Sequence, residues 1–332
     1  MKRLFIKTVI AALAVSAFGL AQAQTRTIKF ANQNAKGHPI VLGMEKFAQL
    51  VDAKSGGKLK VNVFPGGALG SDQANVSALQ GGTLEMASMN SGIFASLVKD
   101  FEIYDFPFLF ANPKEADAVV DGPFGQSLHA KLQDKGIVGL AYYELGFRQL
   151  TNSKRPINKV EDIAGLKLRV IPNPINIDWV SALGANPTPL PFPELYAALE
   201  QGAVDGQENP LATIQGAKLN EVQKYLTLTN HQYNPQSVVI SKKFWDSLSA
   251  DEKKVVQDAA LESAKFQREQ SRALAAGILD NLKKGGMQVT ELAPAEVAKL
   301  RDKMKPVVAK HSASVGEANV KAVMAEIEKA RK

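Results

Sequence analysis

Residues Ser249–Lys284 read SADEKKVVQDAALESAKFQREQSRALAAGILDNLKK, with no proline and a single glycine, Gly277. Ser249-Ala250-Asp251-Glu252 is a capping box, in which the serine and the glutamate each satisfy a backbone amide at the helix start. Lys283-Lys284-Gly285 closes the stretch with cations against the carboxyl end of the helix dipole and a glycine stop. Val255, Val256, Ala259, Ala260, Phe266, Leu274, Ile278 and Leu282 supply the apolar side chains in between. A continuous helix here is about 50 Å long, whereas a single small domain is about 30 Å across. The stretch therefore predicts a spine shared by two lobes. The competing expectation is two helices broken near Gly277, where a mid-helix glycine costs about 1 kcal/mol.

Outward from this spine, β-rich runs alternate with helical patterns. Strands are expected at Thr27–Phe30, Leu59–Phe64, Leu84–Met89, Ile137–Tyr143, Leu166–Ile171 and Val238–Ser241, and helices at His38–Lys54 and Asp72–Gln80. Such alternation predicts an α/β architecture with mainly parallel sheets. The chain has 332 residues, 45% hydrophobic and 22% charged, which excludes wholesale disorder and fibrous repeats and suits about two domains. A short internal echo fits two similar lobes: ALQGGTLE at 78–85 resembles ALEQGAVD at 198–205, each a helix end, a glycine turn and a strand start. The strands lead to Asn90 and Asn209. In open α/β sheets ligands sit at the carboxyl ends of strands, so both residues are expected at a cleft.

The N-terminus reads MKRLFIKTVIAALAVSAFGLAQA. Basic Lys2, Arg3 and Lys7 precede an apolar run from Thr8 to Leu20, and Ala21-Gln22-Ala23 is an A-x-A site. This predicts a cleaved export signal over 1–23, with cleavage before Gln24. The apolar run is short of the roughly 20 residues a membrane span needs. Removing three basic residues and no acidic one takes the formal charge from +7 to +4. That mild charge, without a basic stripe, gives no reason to expect nucleic acid. The absence of cysteine excludes disulfides, cysteine nucleophiles and iron–sulfur clusters, and with the signal predicts a free periplasmic protein.

The familiar catalytic strings are absent: no G-x-G-x-x-G, Walker A loop, G-x-S-x-G or H-E-x-x-H. His38, His129, His231 and His311 are scattered and read as packing or surface residues. No enzyme activity, cofactor or metal is expected. Two arginines stand out. In GLKLRV, 165–170, Leu166, Leu168 and Val170 share one strand face, with Lys167 and Arg169 on the other. Arg148 lies in GFRQLTN, 146–152. By composition each is a solvated strand residue; the functional alternative is a pair that holds a carboxylate, because the planar guanidinium donates two parallel hydrogen bonds.

GLKLRV, then GANPTPLPFPELY (184–196), then VDGQENP (204–210) resemble the solute-binding proteins of the tripartite ATP-independent periplasmic (TRAP) transporters, of the DctP type. FPGGALG (64–70) and FPFLF (106–110) fit as well. The resemblance runs from about Thr27 to past residue 300. It implies a two-lobed periplasmic binding protein, of the Venus-flytrap, type II-like kind, with a long helix spanning both lobes. Expected boundaries are 24–147 plus 236–275 for lobe I, 148–235 plus 276–310 for lobe II, and a helical tail at 311–332. It also implies a function: capture of a small organic acid and delivery to TRAP permease subunits, by a monomer. By the same resemblance Arg169 is the principal carboxylate ligand and Arg148 a second cation. Asn209 hydrogen-bonds the carboxylate, and Phe192 is an apolar wall. Gln33, Asp72 and Asn90 match first-lobe positions at the distal end of the ligand. Asp72 reads equally as a helix N-cap, and Phe192 as core. A polar distal end favours a sugar acid. Lys36 or His38 facing a second carboxylate would favour a C4-dicarboxylate instead; Trp179 has no assigned place, and a keto acid fits too. A periplasmic enzyme on the same fold and a binding protein for an ABC importer or sensor are the rival classes.

Overall fold

The computed structural model describes residues 25–332. The expected export signal and its cleavage site lie outside them. Eleven strands form two sheets among the described residues. The first sheet has the order β2 (Leu59–Phe64), β1 (Arg26–Ala31), β3 (Met86–Asn90), β10 (Tyr233–Ser241), β4 (Ile137–Phe147). The second runs β11 (Gln288–Glu291), β9 (Tyr225–Leu228), β5 (Gln149–Asn152), β8 (Gly206–Asn209), β6 (Lys167–Val170), β7 (Asn186–Pro189).

The expectation of mainly parallel sheets holds with one exception in each: a single reversed strand makes both sheets mixed. In the first, β10 runs antiparallel to β3 and β4. In the second, β5 runs antiparallel to β8 and β9. The reversed strands are those by which the chain passes between sheets. β4 ends at Phe147, Arg148 alone separates it from β5, and β10 follows β9 through 229–232. Each reversed strand lies inside its sheet, β10 between β3 and β4 and β5 between β9 and β8, and hydrophobic alternation along a strand carries no sign of its direction.

Helix α1 (Pro39–Ser55) shows how local chemistry sets the elements. His38 caps it, its Nδ1 accepting from the Ile40 amide at 3.1 Å, and Pro39 occupies the first helical position. Met44, Phe47 and Val51 bury against the first sheet with Ile28 and Phe30. The next helix, α2 (Asp72–Gly81), is capped by Ser71, so Asp72 is its first residue rather than its cap. The short helices α3 (Pro113–Asp121) and α4 (Pro123–Lys131) precede β4, and α5 (Pro174–Ala182), α6 (Leu195–Glu200) and α7 (Leu211–Gly216) belong to the second half. After β10 comes α8 (Lys242–Asp246).

Helix α9 (Ala250–Lys284) is a single 35-residue helix with both arms of the Ser249–Glu252 capping box formed. At 1.5 Å per residue it is about 52 Å long. Its first half gives Val256, Ala259, Ala260 and Ala264 to the core of the first sheet, and its second half gives Ile278 and Leu282 to a core with Leu195, Leu219 and Leu226. The break at Gly277 does not occur. Burial at both ends outweighs the roughly 1 kcal/mol that one glycine costs. The chain ends in α10 (Pro294–Val315) and α11 (Glu317–Arg331). The latter buries Val323 and Ile327 and ties back to α3, where Arg331 Nε meets Glu115 at 2.9 Å, and to α4, where Glu326 accepts the Phe124 amide at 2.9 Å.

Candidate ligand-binding site

Arg169 stands on β6, and its neighbours Leu168 and Val170 are fully buried. Alternation would send an arginine on a half-exposed sheet into water. Here it faces inward: only 2% of Arg169 is exposed. Its Nε donates to the Leu190 carbonyl at 2.8 Å, which fixes the guanidinium plane, and the ring of Phe192 lies 5.8 Å from its Cζ. Among the described residues no carboxylate forms an ion pair with it, and its two terminal nitrogens make no hydrogen bond. Burial, then the nearby Arg148 charge, lower its pKa to about 10 against the pull of Glu208 and Asp72. It stays a cation at neutral pH, and its unused fork is available to a bidentate acceptor.

Arg148 differs in this respect. It is fully buried, and Glu208 grips it from β8 through both carboxylate oxygens, one of them Oε1 at 2.9 Å from NH2. The Asn234 side chain accepts from NH1 at 2.9 Å. Burial would push the Glu208 carboxyl up, but the Arg148 charge and His231 hold it down to about 2. Arg148 therefore carries its own counter-ion into the site. Behind it Asp105 takes hydrogen bonds from Asn173 and Asn234, and burial raises its carboxyl to about 6.

Asn209 ends β8. A chain of hydrogen bonds fixes its amide: Asn209 Nδ2 donates to Gln207 Oε1, Gln207 Nε2 to Thr151 Oγ1, and Thr151 Oγ1 to Gln223 Oε1. One Nδ2 hydrogen is used there, so the second is free for a ligand. The close packing of β8 on β5 that permits this depends on Gly206, where a Cβ would lie 2.2 Å from the Thr151 carbonyl oxygen.

From the first sheet come Gln33, after β1; Asp72, at the start of α2; and Asn90, the last residue of β3. All seven sequence-predicted residues, Arg169, Arg148, Asn209, Phe192, Gln33, Asp72 and Asn90, line one cavity between the two sheets. The space it encloses is about 490 Å³ with the open mouth included. Sequence reasoning missed Gln236, Thr213 and the apolar Leu145, Ile171 and Pro172 in the same wall. Gln236 sits in the early part of β10, ahead of the Val238 start expected from hydrophobicity, because that part of the strand is polar. Gln207 was visible inside VDGQENP but carries no mark of its relay.

His38 is excluded as a cation for a second carboxylate. It is buried, its Nδ1 caps α1, its Nε2 meets Thr213 Oγ1 at 3.2 Å, and burial lowers its pKa to about 3. Lys36 is exposed and does not line the cavity. Trp179 is core, its Nε1 donating to Asn176 at 3.1 Å.

Residues 30–314 match the model of the bacterial extracellular solute-binding proteins, family 7. The chain belongs to this family. Among solved structures it is similar to the sugar acid binding protein of Advenella mimigardefordensis in complex with galactonate: 44% identity, TM-score 0.91, over 92% of this chain and 99% of that one. It is also similar to a TRAP periplasmic solute-binding protein of Ochrobactrum anthropi whose C-terminus occupies its ligand-binding pocket, at 57% identity and TM-score 0.82, over 93% and 97% of the two chains. Among curated proteins, the 2,3-diketo-L-gulonate-binding periplasmic protein of Escherichia coli is 36% identical over 275 residues, 83% of this chain and 84% of the other. The two-lobed expectation and the spine are those of this family. It is a family of transport binding proteins, and no helix among the described residues is long and apolar enough to cross a membrane.

Proposed function

We propose that this chain captures a small organic acid in the periplasm, without turning it over, and hands it to the membrane subunits of a TRAP-type secondary transporter. The observation that carries the ligand class is Arg169: a buried guanidinium in a cleft, with no acidic partner among the described residues. A buried charge without a counter-ion costs several kcal/mol, which a ligand carboxylate offsets. Arg169 takes the carboxylate through its fork, Asn209 donates to it with the free Nδ2 hydrogen, and Phe192 covers the ligand body. Arg148, already paired with Glu208, adds field and shape rather than an unspent charge. Lobe I comprises 24–147 and 236–275, lobe II 148–235 and 276–310, and closure of the two excludes water and strengthens the ion pair. The protein works as a monomer.

Titration calorimetry with the acid found by thermal-shift screening tests the assignment. Arg169→Ala should weaken binding by a factor of a hundred or more, about 3 kcal/mol, and Arg169→Lys should restore only part, because an ammonium cannot make the bidentate pair. Wild-type affinity in Arg169→Ala sinks the reading.

A further inference from the structure

The first-sheet wall of the cavity has a donor and acceptor polarity that the surrounding backbone fixes. Gln33 is 8% exposed, and its Nε2 donates to the Gly70 carbonyl at 2.8 Å. That bond sets the amide orientation and leaves Oε1 buried without a donor among the described residues. Asp72 Oδ1 is likewise buried without a donor. Asn90, 4% exposed, is set the other way: its Oδ1 accepts the Gly92 amide at 2.8 Å, so its buried Nδ2 has no acceptor. In Gln236, Oε1 already takes Asn32 Nδ2 at 3.1 Å and Ser88 Oγ at 2.9 Å. All four residues line the cavity that also holds Arg169.

With Asp72 ionised, as it is above about pH 7, this end of the cavity asks a ligand for hydrogens at Gln33 and Asp72 and for lone pairs at Asn90. A hydroxyl supplies both. An ionised carboxylate supplies only lone pairs. A second carboxylate here would set acceptor against Gln33 Oε1 and acid against Asp72.

We propose that Gln33 and Asp72 form a donor-demanding filter that selects hydroxylated monocarboxylates and rejects C4-dicarboxylates. The filter rests on Arg169 as the carboxylate anchor. Its selectivity is a difference between two affinities, obtained as much by repelling the wrong acid as by holding the right one.

Affinities of refolded protein for D-galactonate, D-glucuronate and succinate, by titration calorimetry at about pH 8, where the Asp72 carboxyl is mostly ionised, test it. The wild type should prefer at least one of the two hydroxy acids to succinate by about tenfold or more, the worth of one well-made hydrogen bond. Asp72→Asn, which keeps the shape, removes the charge and adds a donor, should narrow that preference by roughly tenfold. Gln33→Leu should weaken the preferred hydroxy acid about tenfold and, by removing the acceptor that opposes a second carboxylate, bind succinate no worse than the wild type does, which keeps the idea testable if Asp72→Asn folds poorly. Succinate bound as tightly as either hydroxy acid by the wild type, or an unchanged ratio in a well-folded Asp72→Asn, overturns the filter while Arg169 dependence persists. Retention of hydroxy-acid binding by Arg169→Ala overturns the anchor and the filter together.

Discussion

Two buried arginines about the same cavity have opposite circumstances, and the difference lies in one glutamate. Arg148 is gripped by Glu208, which His231 also approaches at 3.3 Å; Arg169 has no such partner among the described residues. Glu208→Gln should then be a stability mutant before it is a binding mutant. It leaves Arg148 buried and uncompensated, for a loss of about 3–5 kcal/mol in urea unfolding. Asp72 gives a pH signature. Burial raises its carboxyl to about 7 against the pull of Arg169, so the folded chain holds this proton more tightly than the unfolded one. The stabilisation is complete below the ordinary carboxylate pKa and is lost as pH rises through about 7. Urea unfolding of the ligand-free protein should show this group's contribution falling by up to about 1.4 kcal/mol per pH unit between roughly pH 5 and 7. In Asp72→Asn that contribution should vanish.

Helix α9 was legible from its own residues, since a capping box, basic last turn and uninterrupted helix formers are local properties. Gly277 is the one residue that argued against continuity, and a Cβ there meets nothing within 4 Å. Gly277→Ala should accordingly stabilise the protein by up to about 1 kcal/mol, read as a higher urea midpoint with an unchanged slope. Gly206 on β8 is the opposite case. A Cβ 2.2 Å from the Thr151 carbonyl oxygen must push β8 from β5. Gly206→Ala should lower stability and also weaken ligand binding, because the Gln207–Asn209 relay rides on that strand pair. The strand directions were not legible: hydrophobicity gives the period of a strand and nothing about which neighbour it pairs with.

At the scale of the whole molecule, the chain passes between the sheets at Arg148, at 229–232 and along α9. Because α9 supplies side chains to two cores, neither sheet can lose its packing without disturbing the other. Thermal unfolding should therefore appear as one calorimetric transition, with equal calorimetric and van't Hoff enthalpies. The tail is an integral part of this body. Removing 317–332 uncovers the surface of α3 and α4 on which Val323 and Ile327 pack, and should lower the melting temperature by several degrees.

The sequence by itself determined the spine, the alternating elements and, through a family resemblance anchored by strings such as GLKLRV and VDGQENP, the seven residues that meet in the cavity. Composition could not have done the last of these, because an arginine on a strand ordinarily points to water. Tertiary structure alone decided that Arg169 is buried without a counter-ion while Arg148 brings one, that His38 is a neutral cap, and that the amides of Gln33, Asn90 and Asn209 present a fixed polarity to the ligand. Each of these is set by burial and by partners that the fold brings together, whether distant in the chain or, as with Gln207 beside Asn209, near neighbours held in place by distant ones. Local sequence encodes a side chain's chemistry; only the fold specifies which hydrogen bonds that side chain has left to give.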